Sequence, residues 1–124
     1  NVDRIARSVE YVGTLDTTIT GSRNAITPLF LWYAIRARGR EGFNRVVNEC
    51  LACAEYAVEQ LRNIGLEAWR NPHAITVVFP KPHPAVLDKW QLAVQGSDAH
   101  LMVMPQVDRP KIDALVKDLR DHAP

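Results

Sequence analysis

The sequence has no surplus of either charge. Its 15 lysine and arginine residues face 14 acidic ones, for a net charge of +1, so bulk electrostatics gives no reason to expect a nucleic-acid or membrane partner. No apolar run approaches the roughly 18 residues that a membrane span needs, and the stretch 28–35 is far shorter. Cysteine is scarce: Cys50 and Cys53 make no disulfide framework, which leaves a cytosolic setting as the default expectation. The first residues, Asn1-Val2-Asp3-Arg4-Ile5, carry neither a signal nor a transit pattern and read as a chain entered midway. There is no internal repeat and no low-complexity segment. Phosphate-loop, dinucleotide and GxSxG signatures are missing, and His73, His83, His100 and His122 lack the spacing of a metal motif.

What is there fits one ordinary domain of 124 residues, 47% hydrophobic and 23% charged, long enough to bury a modest core. Residues 13–27, GTLDTTITGSRNAIT, are polar and follow neither the helical nor the strand period, so they read as loop. A loop of that length inside a compact domain is often functional. Pro28 then opens a helix that is apolar on nearly every side from Leu29 to Ile35, with Arg36 and Arg38 in its last turn and Gly39 as its cap. Such a helix needs burial all round.

The next helix carries Phe43, Val46, Val47, Cys50, Leu51, Ala54, Ala57, Val58, Leu61 and Ile64 at steps of three and four. That is one apolar stripe, and Gly65 ends it. Residues 66–70 are short and mixed and count as a first strand, and a turn at Asn71-Pro72-His73 leads into a β-branched strand at 74–79. Residues 84–94 read as a short amphipathic helix, Gly96-Ser97-Asp98 as a turn and 100–104 as a further strand. Asp108 can cap a last helix that buries Ile112, Leu115, Val116 and Leu119. The order predicts an α+β fold, with a small, mainly antiparallel sheet covered by helices on one face. The part through Ile35 belongs to another body of structure.

Among residues that could carry chemistry, Cys50-x-x-Cys53 lies mid-helix with Cys50 on the buried stripe. A reactive dithiol favours an exposed helix N-terminus, and no second pair completes a zinc site, so these read as small helix residues. Gly21-Ser22-Arg23-Asn24 is a donor-rich turn suited to a phosphate or carboxylate, although a solvated turn reads the same way. His100 opens an apolar strand directly after a turn, a place from which a side chain reaches a cleft.

Three stretches together, TITGSRN, ITVVFPKP and WQLAVQGSDAH, resemble the pyridoxal-phosphate-dependent group II amino-acid decarboxylases, in the branch of bacterial histidine decarboxylase and plant serine decarboxylase. The resemblance covers essentially the whole chain. It implies the small C-terminal domain of an aspartate-aminotransferase-like type I fold over residues 40–124, preceded over 1–39 by the end of the large cofactor domain with its active-site loop and connecting helix. It also implies pyridoxal 5'-phosphate as cofactor, a homodimer or the remainder of the same enzyme as partner, and an amino acid as substrate, with histidine first and serine or valine next. Ser22, with Gly21 and Thr20 beside it, falls where the family touches the cofactor phosphate, and His100 falls where the family faces the substrate carboxylate. Two departures stand out. Ala25-Ile26 replace the family's Gly-His after the GSRN turn, which favours a less polar substrate. The Ser-x-His-Lys motif of the family's Schiff-base lysine precedes none of Lys81, Lys89, Lys111 and Lys117. The resemblance therefore implies a carboxy-lyase as the parent and no catalytic residue in this chain. The alternative is a non-catalytic α+β module that stands by itself.

Overall fold

The computed structural model describes residues 7–8, 15–16 and 24–122. Its elements are β1 (Arg7–Ser8), β2 (Leu15–Asp16), α1 (Ile26–Asn63), β3 (Thr76–Pro80), α2 (Pro84–Trp90), β4 (Ala93–Gln95), β5 (Asp98–Met102) and α3 (Arg109–Asp121). The chain divides into two compact units, Asn1–Arg45 and Val46–Pro124.

In the first unit β1 and β2 pair antiparallel, Arg7 opposite Asp16 and Ser8 opposite Leu15, so Leu15 and Asp16 are paired within a stretch expected to be loop. α1 starts at Ile26 rather than at Pro28. Asn24 sets the start: its Oδ1 accepts from the Thr27 backbone N–H at 2.9 Å and from the Thr27 hydroxyl at 3.0 Å, an N-cap that satisfies an otherwise orphaned donor. Pro28 then sits inside the first turn, where its missing N–H costs little.

α1 breaks at Gly39, whose φ of 59° and ψ of −176° are not helical. That region of backbone space is essentially closed to residues with a Cβ. A Cβ built there would meet nothing within 4 Å, so the requirement is conformational and not one of room. The expected cap is therefore a kink between helical stretches 26–38 and 40–63. The second stretch buries Cys50, Ala54, Ala57, Val58 and Leu61. Its expected stripe is buried only from Cys50 onward, since Phe43 and Val47 are exposed. Beyond Asn63 the Leu66 N–H reaches the Leu61 carbonyl (3.1 Å) and the Gly65 N–H the Arg62 carbonyl (2.9 Å), the paired bonds of a Schellman stop.

In the second unit the sheet has the order β3-β5-β4. β5 runs antiparallel to both neighbours, so β3 and β4 run parallel with β5 between them and α2 as the connection. Val77, Phe79, Ala99 and Val103 are fully buried and join Ala54, Leu61, Val86, Ile112, Leu115 and Leu119 in one core. The helices of this unit thus cover one sheet face, as the sequence predicts. Asp108 caps α3 through the Lys111 N–H at 3.0 Å, and the buried face of α3 is Ile112, Leu115, Val116 and Leu119, as expected.

Three expectations need correction. Residues 66–70 form no strand beyond one antiparallel bridge between Trp69 and Val78. The helix expected over 84–94 ends at Trp90, because Gln91 adopts left-handed backbone angles (φ 50°, ψ 45°). Ala93–Gln95 then forms β4. The last strand begins at Asp98, not His100, because the Gly96-Ser97 turn is only two residues long and pairs Gln95 with Asp98. Gly96 has φ 60° and Ser97 is not in the positive-φ region, the type II′ pattern whose first central position favours glycine.

Candidate functional site

His100 is the middle residue of β5, the central strand. It lies opposite Val78 of β3 on one side and Ala93 of β4 on the other, and Val78 in turn bridges to Trp69. Residues opposite one another in a sheet share a face, so Trp69, Val78, His100 and Ala93 form one row across it. Side chains alternate along a strand. Ala99, Val77 and Phe79 point into the core, which puts this row and Met102 on the outer face, away from the helices. His100 and Val78 are half-buried, while Trp69 and Met102 are about half exposed (48% and 57%). His100 is thus presented on the outer sheet face, with Val78 and Ala93 beside it, Trp69 beyond Val78, and Met102 two residues along the same strand. His100 stands in the middle of β5 and does not open it, which corrects the expectation of a strand end.

Thr20, Gly21 and Ser22, expected at the cofactor phosphate, lie outside the described residues. The first described residue after them in the sequence is Asn24, whose side chain caps α1. Ala25 and Ile26, at the family's Gly-His position, sit at the entry to the helix, with Ile26 exposed.

No family model matches the chain. It is 43% identical over 119 residues to histidine decarboxylase of Mesorhizobium japonicum, covering 96% of this chain and 32% of that protein. It is 44% identical to histidine decarboxylase of Vibrio anguillarum, covering 95% and 31%. Among solved structures, L-methionine decarboxylase from Streptomyces sp. 590 superposes with a TM-score of 0.76 at 32% identity, covering 93% of this chain and 25% of that one. Over nearly its whole length the chain is similar to these amino-acid decarboxylases. It spans about a third of the length of the curated relatives it matches.

The fold class stands with the family: a three-stranded antiparallel sheet with helices, matched to a quarter of a decarboxylase chain. Cys50 and Cys53 lie within α1, where the sequence reading places them. Both are free thiols, Cys50 buried and Cys53 half-buried. Cys53 donates to the Val107 carbonyl at 3.5 Å. Burial, the largest influence, pushes its thiol up, and the nearby Arg109 guanidinium opposes this only in part. A raised thiol is a poor nucleophile at neutral pH. No group of histidine, cysteine and carboxylate side chains among the described residues could hold a metal ion, and no described helix is long and apolar enough to cross a membrane. Trp69, Val78 and Met102, which share the His100 face, were missed from the sequence. The alternation about His100 gives Met102 directly, whereas the bridge that brings in Trp69 has no local signature.

Proposed function

We propose that the protein carrying this chain is a pyridoxal-phosphate-dependent L-amino-acid decarboxylase that forms an amine and carbon dioxide, with histidine as its favoured substrate. The observation that carries the reading is 43% identity to a histidine decarboxylase running through 96% of the chain. In this reading residues 1–39 end the large cofactor domain and 40–124 form the small domain. A second copy or the rest of the same enzyme is the partner, and the cytoplasm is the setting.

The described residues do not by themselves make a cofactor site. Lys81, Lys89, Lys111 and Lys117 are all exposed. Lys89 is paired with Asp118 and Lys111 donates to the Gln106 carbonyl. The lysine that holds the cofactor therefore comes from another part of the parent protein. What this chain contributes is binding and orientation. Ser22, with Gly21 and Thr20, holds the phosphate, and His100 donates to the substrate carboxylate from the outer sheet face that also carries Val78, Trp69 and Met102. The cofactor, when bound, supplies the electron sink for loss of that carboxylate.

Methionine is the second reading for the substrate. It is favoured by Ala25-Ile26 in place of a glycine and an imidazole, and by the 32% identity to a methionine decarboxylase. Serine and valine follow. The test is release of labelled carbon dioxide from carboxyl-labelled L-histidine, L-methionine, L-serine and L-valine, by the protein carrying this chain and by the 124-residue chain separately, both with added cofactor. The parent is expected to show its highest kcat/KM on histidine and the separate chain to release nothing. A preference for methionine establishes the second reading, and no release by the parent from any of the four rejects the decarboxylase reading.

A further inference from the structure

On the helix-covered side of the second unit, where the stop of α1, the end of β3, the start of α2 and the end of α3 meet, there is a cavity of about 480 Å³. Its size falls in the range of small-molecule sites, roughly 300–1,000 Å³. Its floor is apolar and includes Ile64, Val86 and Leu119. Its rim carries Lys81, His83, Arg120 and His122, and no aspartate or glutamate lines it. The chain as a whole is nearly neutral, with 15 basic and 14 acidic residues, so this segregation is local and not a reflection of bulk charge.

Lys81 and Arg120 take part in no ion pair among the described residues, where the ion pairs are Arg70 with Glu55 and Lys89 with Asp118. The imidazoles are held in place. The Nδ1 of His83 accepts from the Ala85 backbone N–H at 3.3 Å, which leaves the hydrogen of a neutral ring on Nε2. The Nδ1 of His122 lies 2.9 Å from the Asp118 carbonyl. The two rings stack at 5.9 Å and 29°, giving the cavity one flat wall. Positive charge beside an apolar, low-dielectric surface attracts an anion more strongly than the same charge in open water does. The apolar floor in turn selects a ligand with apolar area to bury.

We propose that this cavity binds a small organic acid: an aromatic or branched aliphatic body seated on Ile64, Val86 and Leu119, with its carboxylate between Lys81 and Arg120. A guanidinium takes a carboxylate through paired hydrogen bonds, and an ammonium beside it adds a charge-assisted one. A hydrated inorganic anion satisfies the rim and leaves the floor bare, so it is the poorer ligand.

The test uses 3-phenylpropionate as probe, added to the full chain and followed through the methyl resonances of Ile64, Val86 and Leu119. Saturable shifts at these methyls are expected, with a Kd on the order of 1 mM, typical of so small a ligand. The uncharged 3-phenylpropanamide is expected to bind about tenfold more weakly, since it lacks the charge-assisted bonds. The double variant Lys81→Met with Arg120→Met changes two exposed positions and is expected to lose about the same factor while keeping the wild-type methyl spectrum. The comparison of acid with amide does not depend on that variant folding. The proposal is overturned by no saturable shift at these methyls, by equal binding of acid and amide, or by inorganic phosphate displacing the probe at similar concentration.

Discussion

His100 is held in the central strand by pairing on both sides, with Val78 and Ala93 opposite it. If it meets the substrate carboxylate, removing it costs transition-state binding more than folding. In the protein carrying this chain, His100→Ala is expected to lower kcat/KM about 10- to 100-fold, the usual range for loss of one hydrogen bond to a charged group, with a small shift in the urea midpoint. His100→Arg, which restores a carboxylate donor, is expected to recover part of the loss. A fall in the urea midpoint with kcat/KM unchanged would make His100 a packing residue. Asp118 is the second residue whose environment has a consequence. Lys89, paired with its Oδ2 at 2.7 Å, is the larger influence on its carboxyl, and the Trp90 indole N–H, at 2.7 Å, is the next. Both hold the carboxyl below its ordinary value of 3.8. A depressed carboxyl stabilises the fold above its ordinary value, and the stabilisation is lost as pH falls through the lowered one. The gap in urea midpoint between wild type and Asp118→Asn is therefore expected to be present at pH 7 and to shrink below about pH 4. A gap that stays constant from pH 7 to pH 3 would remove the ion pair from the account.

At the scale of elements, Gly39 decides how α1 runs. Its backbone (φ 59°, ψ −176°) joins two helical stretches at an angle that no residue with a Cβ adopts cheaply, so Gly39→Ala is expected to destabilise the chain by about 1–3 kcal/mol, measured as a lowered urea midpoint. An unchanged midpoint would mean that the two stretches join equally well as one straight helix. The elements legible in the sequence are those specified by neighbours a few residues apart. α3 was readable in full because Asp108, Pro110 and the spacing of Ile112, Leu115, Val116 and Leu119 are all local signals. The stop of α1 at Gly65 was readable for the same reason. What escaped depends on distant partners or on backbone states without a sequence mark. β4 is three residues long and exists because β5 pairs with it. The left-handed Gln91 that ends α2 is not a glycine or asparagine, so nothing local announces it. The Trp69–Val78 bridge spans a turn containing His73, another non-glycine residue at positive φ (60°). The candidate site divides in the same way. His100 could be selected from its place after a turn, but its row of neighbours required the register. The cavity rim joins residues from the β3–α2 link and the end of α3, a meeting that no local pattern contains.

For the molecule as a whole, the apolar helical stretch after Asn24 is the largest unsolved problem of solvation. Ile26, Leu29, Phe30, Leu31, Trp32, Tyr33 and Ile35 are each between 52% and 67% exposed. A single exposed leucine needs no explanation, but a contiguous patch of this kind marks a surface that another body covers. The neighbouring sequence agrees, since Arg36 and Arg38 follow the patch and no acidic residue interrupts it. The 124-residue chain is therefore expected to self-associate when it is alone, with a mass above 14.0 kDa that rises with concentration in sedimentation equilibrium. Each buried large side chain contributes roughly 1.5–3 kcal/mol at such a contact, so a few of them suffice for association at micromolar concentration after the cost of bringing two bodies together. Phe30→Glu with Trp32→Glu is expected to return the chain to 14.0 kDa without altering its second unit, whose core contains none of these residues. The alternative outcome is equally informative. A wild-type chain that stays monomeric at high concentration, with the tryptophan of this patch quenched by added acrylamide, would show that the patch tolerates water. Both the second copy and the remainder of the enzyme would then lose their strongest physical argument as the occupant of this face.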